Sequence, residues 1–550
     1  MPFRTTRRQM IAAAAMPLLA ADEIARPLVE RNDAAVTGLM ERQVTDPAAP
    51  GCGSYADAYG LWNAGTAGSI VEALTASFLS PGSRYHKDPA VLERIRLAAG
   101  FLARAQHADG TIDLLITNFH STPDTGFVVH NAGTAACLAK RAGVREIVAA
   151  LEPFLVKAGA ALATGGVHTP NHRWVVCSAM AQIDEVFPDA RYGRRIDQWL
   201  AEGIDIDGDG QFDERSTTIY NTVCDRAFTV LAVKRKRPEL LEPVRRNLEA
   251  MQYLLHADYE VVTEISHRQD QGQRGDLSRY WFPLRYLAAL DRNPVYAGLA
   301  QHFETKAGSL SALLEYPEMV KQPPIAPPPS DYEKYFPGMK VARIRRGAVS
   351  ATMLLQQDSR IFSVRKGEAV VEAVRFASAF FGKGQFMGLE SGREGRAYTA
   401  TQALTGPYFQ PLDPARTVAA GEWGAVRAQR RQSDVCTLRQ SARIAETAKG
   451  FQLAVRAEGT SGVPLAIEIC LREGSRVEGC REVDGRRDCW ILAGGMASVT
   501  AGRDTIRFGP GTGAPHTWTE IRGALPKMAG PSVYLTGFTP FAHTLEFEVY

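Results

Sequence analysis

Lys321-Gln-Pro-Pro-Ile-Ala-Pro-Pro-Pro-Ser330 is where the chain changes its period. Proline lacks an amide hydrogen and fixes φ, so five prolines in ten residues end helical pairing and leave an extended connector. Residues 321–338 read as that linker. Before it, Ile70-Val-Glu-Ala-Leu-Thr-Ala-Ser-Phe78, Val91-Leu-Glu-Arg-Ile-Arg-Leu-Ala-Ala-Gly-Phe-Leu102 and Leu240-Leu-Glu-Pro-Val-Arg-Arg-Asn-Leu248 set apolar residues three or four apart, the spacing of one helix face. After it, Lys340-Val-Ala-Arg-Ile-Arg-Arg346, Val349-Ser-Ala-Thr-Met-Leu-Leu355, Arg360-Ile-Phe-Ser-Val-Arg365 and Ala369-Val-Val-Glu-Ala-Val-Arg-Phe376 alternate or run apolar over strand lengths. Turn pairs such as Lys366-Gly367 and Asp484-Gly485 separate such strands. At 550 residues the chain is too long for one core. The expected fold is a multidomain α+β chain, with helical hairpins over 22–320 and an antiparallel β-sandwich over 339–550. Within 22–320, loops bearing Gly, Pro and Asp recur at roughly fifty residues, one hairpin per unit. Stacked hairpins share a core and carry their same-phase loops on one face, and an α/α toroid is their natural closure.

The N-terminus reads as a targeting segment. Thr6-Arg7-Arg8-Gln9-Met10-Ile11 leads into an apolar run ending at Ala21, too short to span a bilayer, and 1–21 fits a removed twin-arginine signal. The expected destination is the periplasm or beyond, with no membrane span once the signal is removed and no other stretch read as apolar enough for one. A net charge of +3 offers no global field for nucleic acid or a membrane surface, so an acidic ligand must be met by local arginines. The eight cysteines show no CxxC pair and no Cys/His cluster at zinc spacing. Export permits disulfides, and Cys470, Cys480 and Cys489 are near enough in sequence for one pair.

Four polar clusters fall in phase with the hairpin repeat: Asn118-Phe-His120-Ser-Thr-Pro-Asp124, Asn171-His172-Arg173-Trp174, Tyr220 with Arg226, and His267-Arg268-Gln-Asp-Gln-Gly-Gln-Arg274. In a toroid the four line one cleft. An amide, an imidazole, a phenol and guanidinium groups suit removal of a proton beside a carboxylate. That proton is poorly acidic, because its loss adds negative charge to a group already ionised; an amide or guanidinium on the carboxylate stabilises the enolate-like state. A base then takes the proton and an acid protonates the departing glycosidic oxygen. Asn171 suits the first task, His172 or Tyr220 the second and Tyr220 the third. The substrate class is acidic polysaccharide, and no cofactor is required.

Asn171-His172, the string Asp209-Gly-Gln-Phe-Asp-Glu214-Arg-Ser216-Thr-Thr-Ile-Tyr220, and the β-region strings Arg345-Arg346-Gly347 and Ala377-Ser378-Ala379-Phe-Phe-Gly382-Lys-Gly resemble the polysaccharide lyases built from an α/α toroid plus β-sandwich, the heparinase II/III, alginate and hyaluronate/chondroitin lyase group. The resemblance implies β-elimination at a uronate. It gives Asn171 as carboxylate neutraliser, Tyr220 as acid and sometimes base, and His172 and Arg268 as assistants, with Arg226 and Arg274 competing for the arginine role. His120, Trp174, Arg226, His267 and Arg274 are the expected substrate contacts.

Blander readings stand beside these. Asn171-His172 alone fits a helix cap with a buried imidazole, Tyr220 a packing residue, and Trp174 core. Asp205, Asp207, Asp209 and Asp213 have the spacing of a calcium loop, but Ser216 stands where the bidentate glutamate belongs; a structural calcium and a solvated acidic turn both fit. A glycoside hydrolase would need two facing carboxylates, with Asp109, Asp124, Asp213 and Glu214 available. A non-catalytic periplasmic glycan-binding protein would leave the phase of Asn171 and Tyr220 unexplained.

Overall fold

The computed structural model describes residues 18–514 and 516–550, with side chains from residue 25. Arg7-Arg8 and most of the apolar run assigned to the signal therefore lie outside the described residues. The chain divides into two units. One is helical and runs to Gln252, then from Glu260 to Pro328; the other comprises Tyr253–Tyr259 and Pro329–Tyr550.

The helical unit contains α1 (Leu18–Arg42), α2 (Ala64–Leu79), α3 (Pro89–Ala105), α4 (Thr122–Ala142), α5 (Arg145–Thr164), α6 (Pro170–Val186), α7 (Ala190–Ala201), α8 (Tyr220–Lys234), α9 (Glu242–Tyr253), α10 (Trp281–Asp291), α11 (Pro294–Ala307) and α12 (Leu310–Glu315). Even-numbered helices pack in succession, α2 on α4, α4 on α6, α6 on α8 and α8 on α10, while α12 returns to α1, α2 and α4. This is the ring that the repeat implies. Its inner members are covered from both sides: α6 buries every residue from Trp174 to Ile183, whereas outer α7 buries only Tyr192 and Ile196. Helix starts are set locally, with Ser121 capping the Asp124 amide of α4 and prolines in the first turns of α4 and α6. One correction concerns α5, whose 20 residues are long and apolar enough to cross a membrane, contrary to the sequence reading. Here Ile147, Leu151, Phe154, Leu155 and Leu162 of that helix are buried within the helical unit.

The loops that enter the inner helices repeat one turn. In Asp57–Leu61, His107–Thr111 and Asp207–Gln211 the first residue's amide donates to the fifth carbonyl, and the fourth-residue amide donates back to the first carbonyl. Gly60, Gly110 and Gly210 take the fourth position at φ 78°, 89° and 77°. A Cβ on Gly110 or Gly210 would also stand 2.3 or 2.4 Å from the Lys157 or Arg246 carbonyl oxygen of the next outer helix, so glycine meets both demands.

The second unit is a sandwich of a nine-stranded and an eight-stranded sheet. Its strands pair antiparallel except Cys489–Ile491, which runs parallel to Ser532–Phe538. Inner-face alternation builds the core, in which Phe362 of one sheet meets Phe451 and Phe547 of the other at ring separations of 5.6 and 5.2 Å. The first strand, Asp331–Phe336, forms inside the stretch read as linker because its residues pair in register with Val341–Arg346. All eight cysteines are free. Cys470 and Cys489 both face Ser532 from opposite sides. Two strand spacings, about 10 Å, therefore separate their backbones, beyond disulfide reach.

Tyr253–Tyr259 joins the sandwich through hydrogen bonds. Fully buried Arg343 donates to the carbonyls of Tyr253 (3.2 Å) and Leu255 (2.9 Å), the Tyr332 hydroxyl donates to Tyr253 O (2.8 Å), and His256 Nδ1 meets Ser350 Oγ at 2.8 Å.

Candidate active site

Asn171 is the second residue of α6 and Tyr220 the first of α8, so two neighbouring inner helices open with an amide and a phenol. Asn171 is buried, and its side-chain nitrogen donates to Glu214 Oε2 and to Thr169 Oγ1 (3.3 Å), while its backbone amide also reaches Glu214 Oε2 (3.3 Å). Its Oδ1 and Glu214 Oε1 have no hydrogen-bond partner among the described residues. Arg268 Nε lies 3.6 Å from Glu214 Oε1, and the Arg268 guanidinium covers the Tyr220 ring at 5.1 Å. Gln269 Nε2 donates to the Tyr220 hydroxyl at 2.8 Å. The Glu214 carboxylate thus ties Asn171 to Arg268, and Arg268 with Gln269 brackets Tyr220.

His172 follows Asn171 and is 8% exposed, its ring against Phe127 (5.8 Å) and His168 (4.7 Å). Burial first, then the neighbouring His168 and Arg268, lowers its pKa to about 4, with Asp124 opposing. The imidazole is neutral near pH 7, with a buried Nδ1 that meets no partner among the described residues. Asp124 is held by Ser121 Oγ (2.5 Å) and Asn118 Nδ2 (2.9 Å).

The loop from Glu214 to Tyr220 is fixed by buried Asp270, which accepts from Ser216 Oγ, Ser266 Oγ and Thr218 N, each at 3.0 Å. Asp270 and Gln269 sit inside the quoted 267–274 cluster yet were not singled out. Neither was the tethering role of Glu214. Apart from Ser266 to Asp270, nothing local marks these pairings, because the others join residues more than forty positions apart.

Other expected residues stand elsewhere. Trp174 is fully buried, its Nε1 donating to Asp205 Oδ1 at 2.8 Å and its ring against Phe228, so it is core and not a sugar platform. His120, at φ 47°, stacks on His107 (3.9 Å) and meets Asp109 Oδ2 at 2.7 Å. Thr111 and His120 together hold Asp109 below the usual carboxylate range. No described contact joins His120 to Asn171, His172 or Tyr220. His267 is exposed and donates its amide to Arg215 O, with its pKa lowered by partial burial and by Arg215. Arg274 is exposed and pairs with Glu260 at 3.3 Å. Arg226 lies two turns into α8 and lines a cavity inside the ring.

In the loop proposed for calcium, the Asp207 carboxylate is used by the turn itself. Asp207 Oδ1 accepts from the amides of Asp209 and Gln211, both at 2.9 Å, just as Asp57 Oδ1 accepts from Tyr59 (2.8 Å) and Leu61 (3.0 Å). Asp205 is taken by Arg173 (2.9 Å) and Trp174. Asp207 thus serves the repeated turn, and among the described residues no three His, Cys, Asp or Glu side chains are grouped to hold a metal.

A ring of helical hairpins followed by a two-sheet sandwich is the architecture of the polysaccharide lyases of the α/α toroid plus β-sandwich type. Among solved structures, a xanthan lyase from Paenibacillus superposes with a TM-score of 0.56 at 9% identity, over 96% of this chain and 57% of its own. A mutant of the chondroitin AC lyase of Streptomyces coelicolor A3 gives 0.53 at 14% identity, over 98% of this chain and 80% of its own. The same enzyme in complex with chondroitin sulphate gives 0.52. The chain therefore spans little more than half the length of the xanthan lyase. No family model and no curated protein sequence matches it.

Proposed function

We propose that the chain is a polysaccharide lyase cleaving a uronate-bearing glycan by β-elimination. The observation that carries this reading is the pair of adjacent helix starts, Asn171 beside neutral His172 on α6 and Tyr220 under Arg268 on α8, on a fold shared with lyases. The uronate carboxylate replaces Thr169 Oγ1 as acceptor of one Asn171 amide hydrogen, and Arg268 adds positive charge as the enolate-like state forms. His172 takes the C5 proton, the freed electron pair forms the C4–C5 double bond, and the C4–O bond breaks. Gln269 already donates to the phenol oxygen, so the Tyr220 hydrogen is free to go to the departing oxygen. Export through Arg7-Arg8 to the periplasm or beyond belongs to the same proposal.

The hydrolase alternative has less support. Of its four carboxylates, Asp213 is exposed and Asp109 is committed to Thr111 and His120, while Asp124 is capped. Only Glu214 joins Asn171 and Arg268, and one carboxylate does not make a facing pair.

Purified protein incubated with alginate, glucuronan, hyaluronan, chondroitin and heparin should generate near-ultraviolet absorbance from an unsaturated sugar on at least one of them. Products that have instead gained a water by mass would overturn the proposal.

A further inference from the structure

The ring of inner helices surrounds a cavity of about 470 Å³. Thr222, Arg226 and Val230 form a stripe down its α8 wall, a descent of about 12 Å at the helical rise of roughly 1.5 Å per residue. The mouth adjoins the candidate site: Phe127 lines the cavity and touches the His172 ring, and Thr222 lies within a turn of Tyr220. The floor is closed. Lys234, next on the α8 stripe, is 1% exposed and ion-paired with Glu315 (2.5 Å) and Glu185 (2.8 Å), and Thr134 Oγ1 donates to Glu315 at 3.1 Å.

Arg226 stands on this wall half-buried, with no hydrogen bond and no ion pair within 4 Å among the described residues. The buried Tyr316 hydroxyl and Trp281 Nε1, on residues lining the same cavity, also meet no partner there. Glu72 feels the Arg226 charge without pairing; its carboxyl accepts from Ser311 Oγ (2.5 Å), and burial raises its pKa toward the neutral form. A half-buried guanidinium that the protein leaves unpaired on a cavity wall keeps its planar fork of donors available to a carboxylate.

We propose that this well is a subsite for the acidic end of the glycan, in which Arg226 binds the carboxylate of the terminal uronate and the closed floor stops the chain. Cleavage is then exo, releasing short unsaturated units. The inference rests on the lyase reading for its substrate, but its binding test does not need turnover.

Calorimetric titration of the full chain with D-glucuronic acid, and separately with its neutral methyl ester, tests the site. The expected result is binding of the acid in preference to the ester, weakened roughly tenfold in Arg226→Gln, as for loss of one charge-assisted hydrogen bond. Arg226→Lys, which keeps the charge but loses the planar fork, should fall between and serves if the glutamine variant does not fold. Equal binding of acid and ester, no binding of either, or an Arg226→Gln affinity within about twofold of the parent overturns the well. Turnover that yields a ladder of long oligosaccharides from the start also overturns it while leaving the lyase reading intact. Arg226-dependent glucuronate binding without unsaturated product on any polymer sinks the lyase reading and leaves the well standing.

Discussion

Each unit holds a cavity of about 500 Å³ with an arginine and a glutamate in its wall, and the two are finished differently. In the sandwich, Arg375 donates to Glu468 Oε2 and to the Pro526 carbonyl, both at 2.5 Å. Glu468 Oε1 in turn accepts from Ser532 (2.8 Å) and Tyr534 (3.1 Å). In the helical ring Arg226 has no such partner among the described residues, and Glu72 accepts from Ser311 instead. A buried network satisfied from within is a structural joint. One left open by the protein has donors to offer a ligand, as proposed for Arg226. The residue types are the same, so the accounting of hydrogen bonds, rather than composition, separates scaffold from site.

That contrast breaks if substitutions in the ring register as stability and those in the sandwich as rate. The largest expected effect is at Tyr220: Tyr220→Phe should lower kcat by about 10²–10⁴-fold, the range for a lost general acid, with an unchanged melting temperature. A variant keeping more than about a tenth of the parent rate would remove Tyr220 from the chemistry. Arg375→Met should do the reverse. Breaking a buried pair costs about 3–5 kcal/mol, read by urea unfolding, while kcat per folded molecule holds.

Asn171→Ala should lower kcat by about 10²–10³-fold with a smaller change in ground-state binding. The penalty should shrink on a methyl-esterified uronate, whose carboxyl is already neutral; the same factor on both substrates would return Asn171 to a capping role. The smallest effect is in pH dependence. His172 has its folded pKa lowered from 6.5 to about 4, so between those values the unfolded chain binds a proton that the folded residue refuses. Stability contributed here is present above pH 6.5 and is lost as pH falls toward 4. His172→Gln should therefore flatten the decline in melting temperature across that window, and an unaltered slope would show that buried His130 and His256 carry it instead.

The fold was legible because hydrophobic period and proline content are local. Leu240–Leu248 and Val349–Leu355 carry their helix and strand signals within nine residues, and Pro323–Pro329 divides them. The phase of Asn171 with Tyr220 was legible for the same reason, since a repeat fixes where inner helices begin. What each polar group does with its hydrogen bonds was not. The spacing of Asp205, Asp207 and Asp209 is the same whether the carboxylates converge on a cation or turn back onto their own backbone. Asp207 turns back onto its own backbone, and the same turn recurs at Asp57–Gly60 and His107–Gly110, visible only when the loops are compared with each other. Trp174 shows a similar limit: an indole beside a polar cluster reads as a platform until Asp205 and Phe228 are found to enclose it.

The seven residues Tyr253–Tyr259 bear on how this molecule can be inherited. They precede the proline cluster in the gene yet belong with the sandwich, where their carbonyls receive Arg343. A recombination event at the prolines would deliver a sandwich whose buried guanidinium has lost two acceptors, a destabilising defect unless a new partner domain supplies carbonyls at the same place. Short of that, exchange of this sandwich between lineages has to carry the loop after α9 with it, and drift in Val341–Arg346 is answerable to drift in Tyr253–Tyr259.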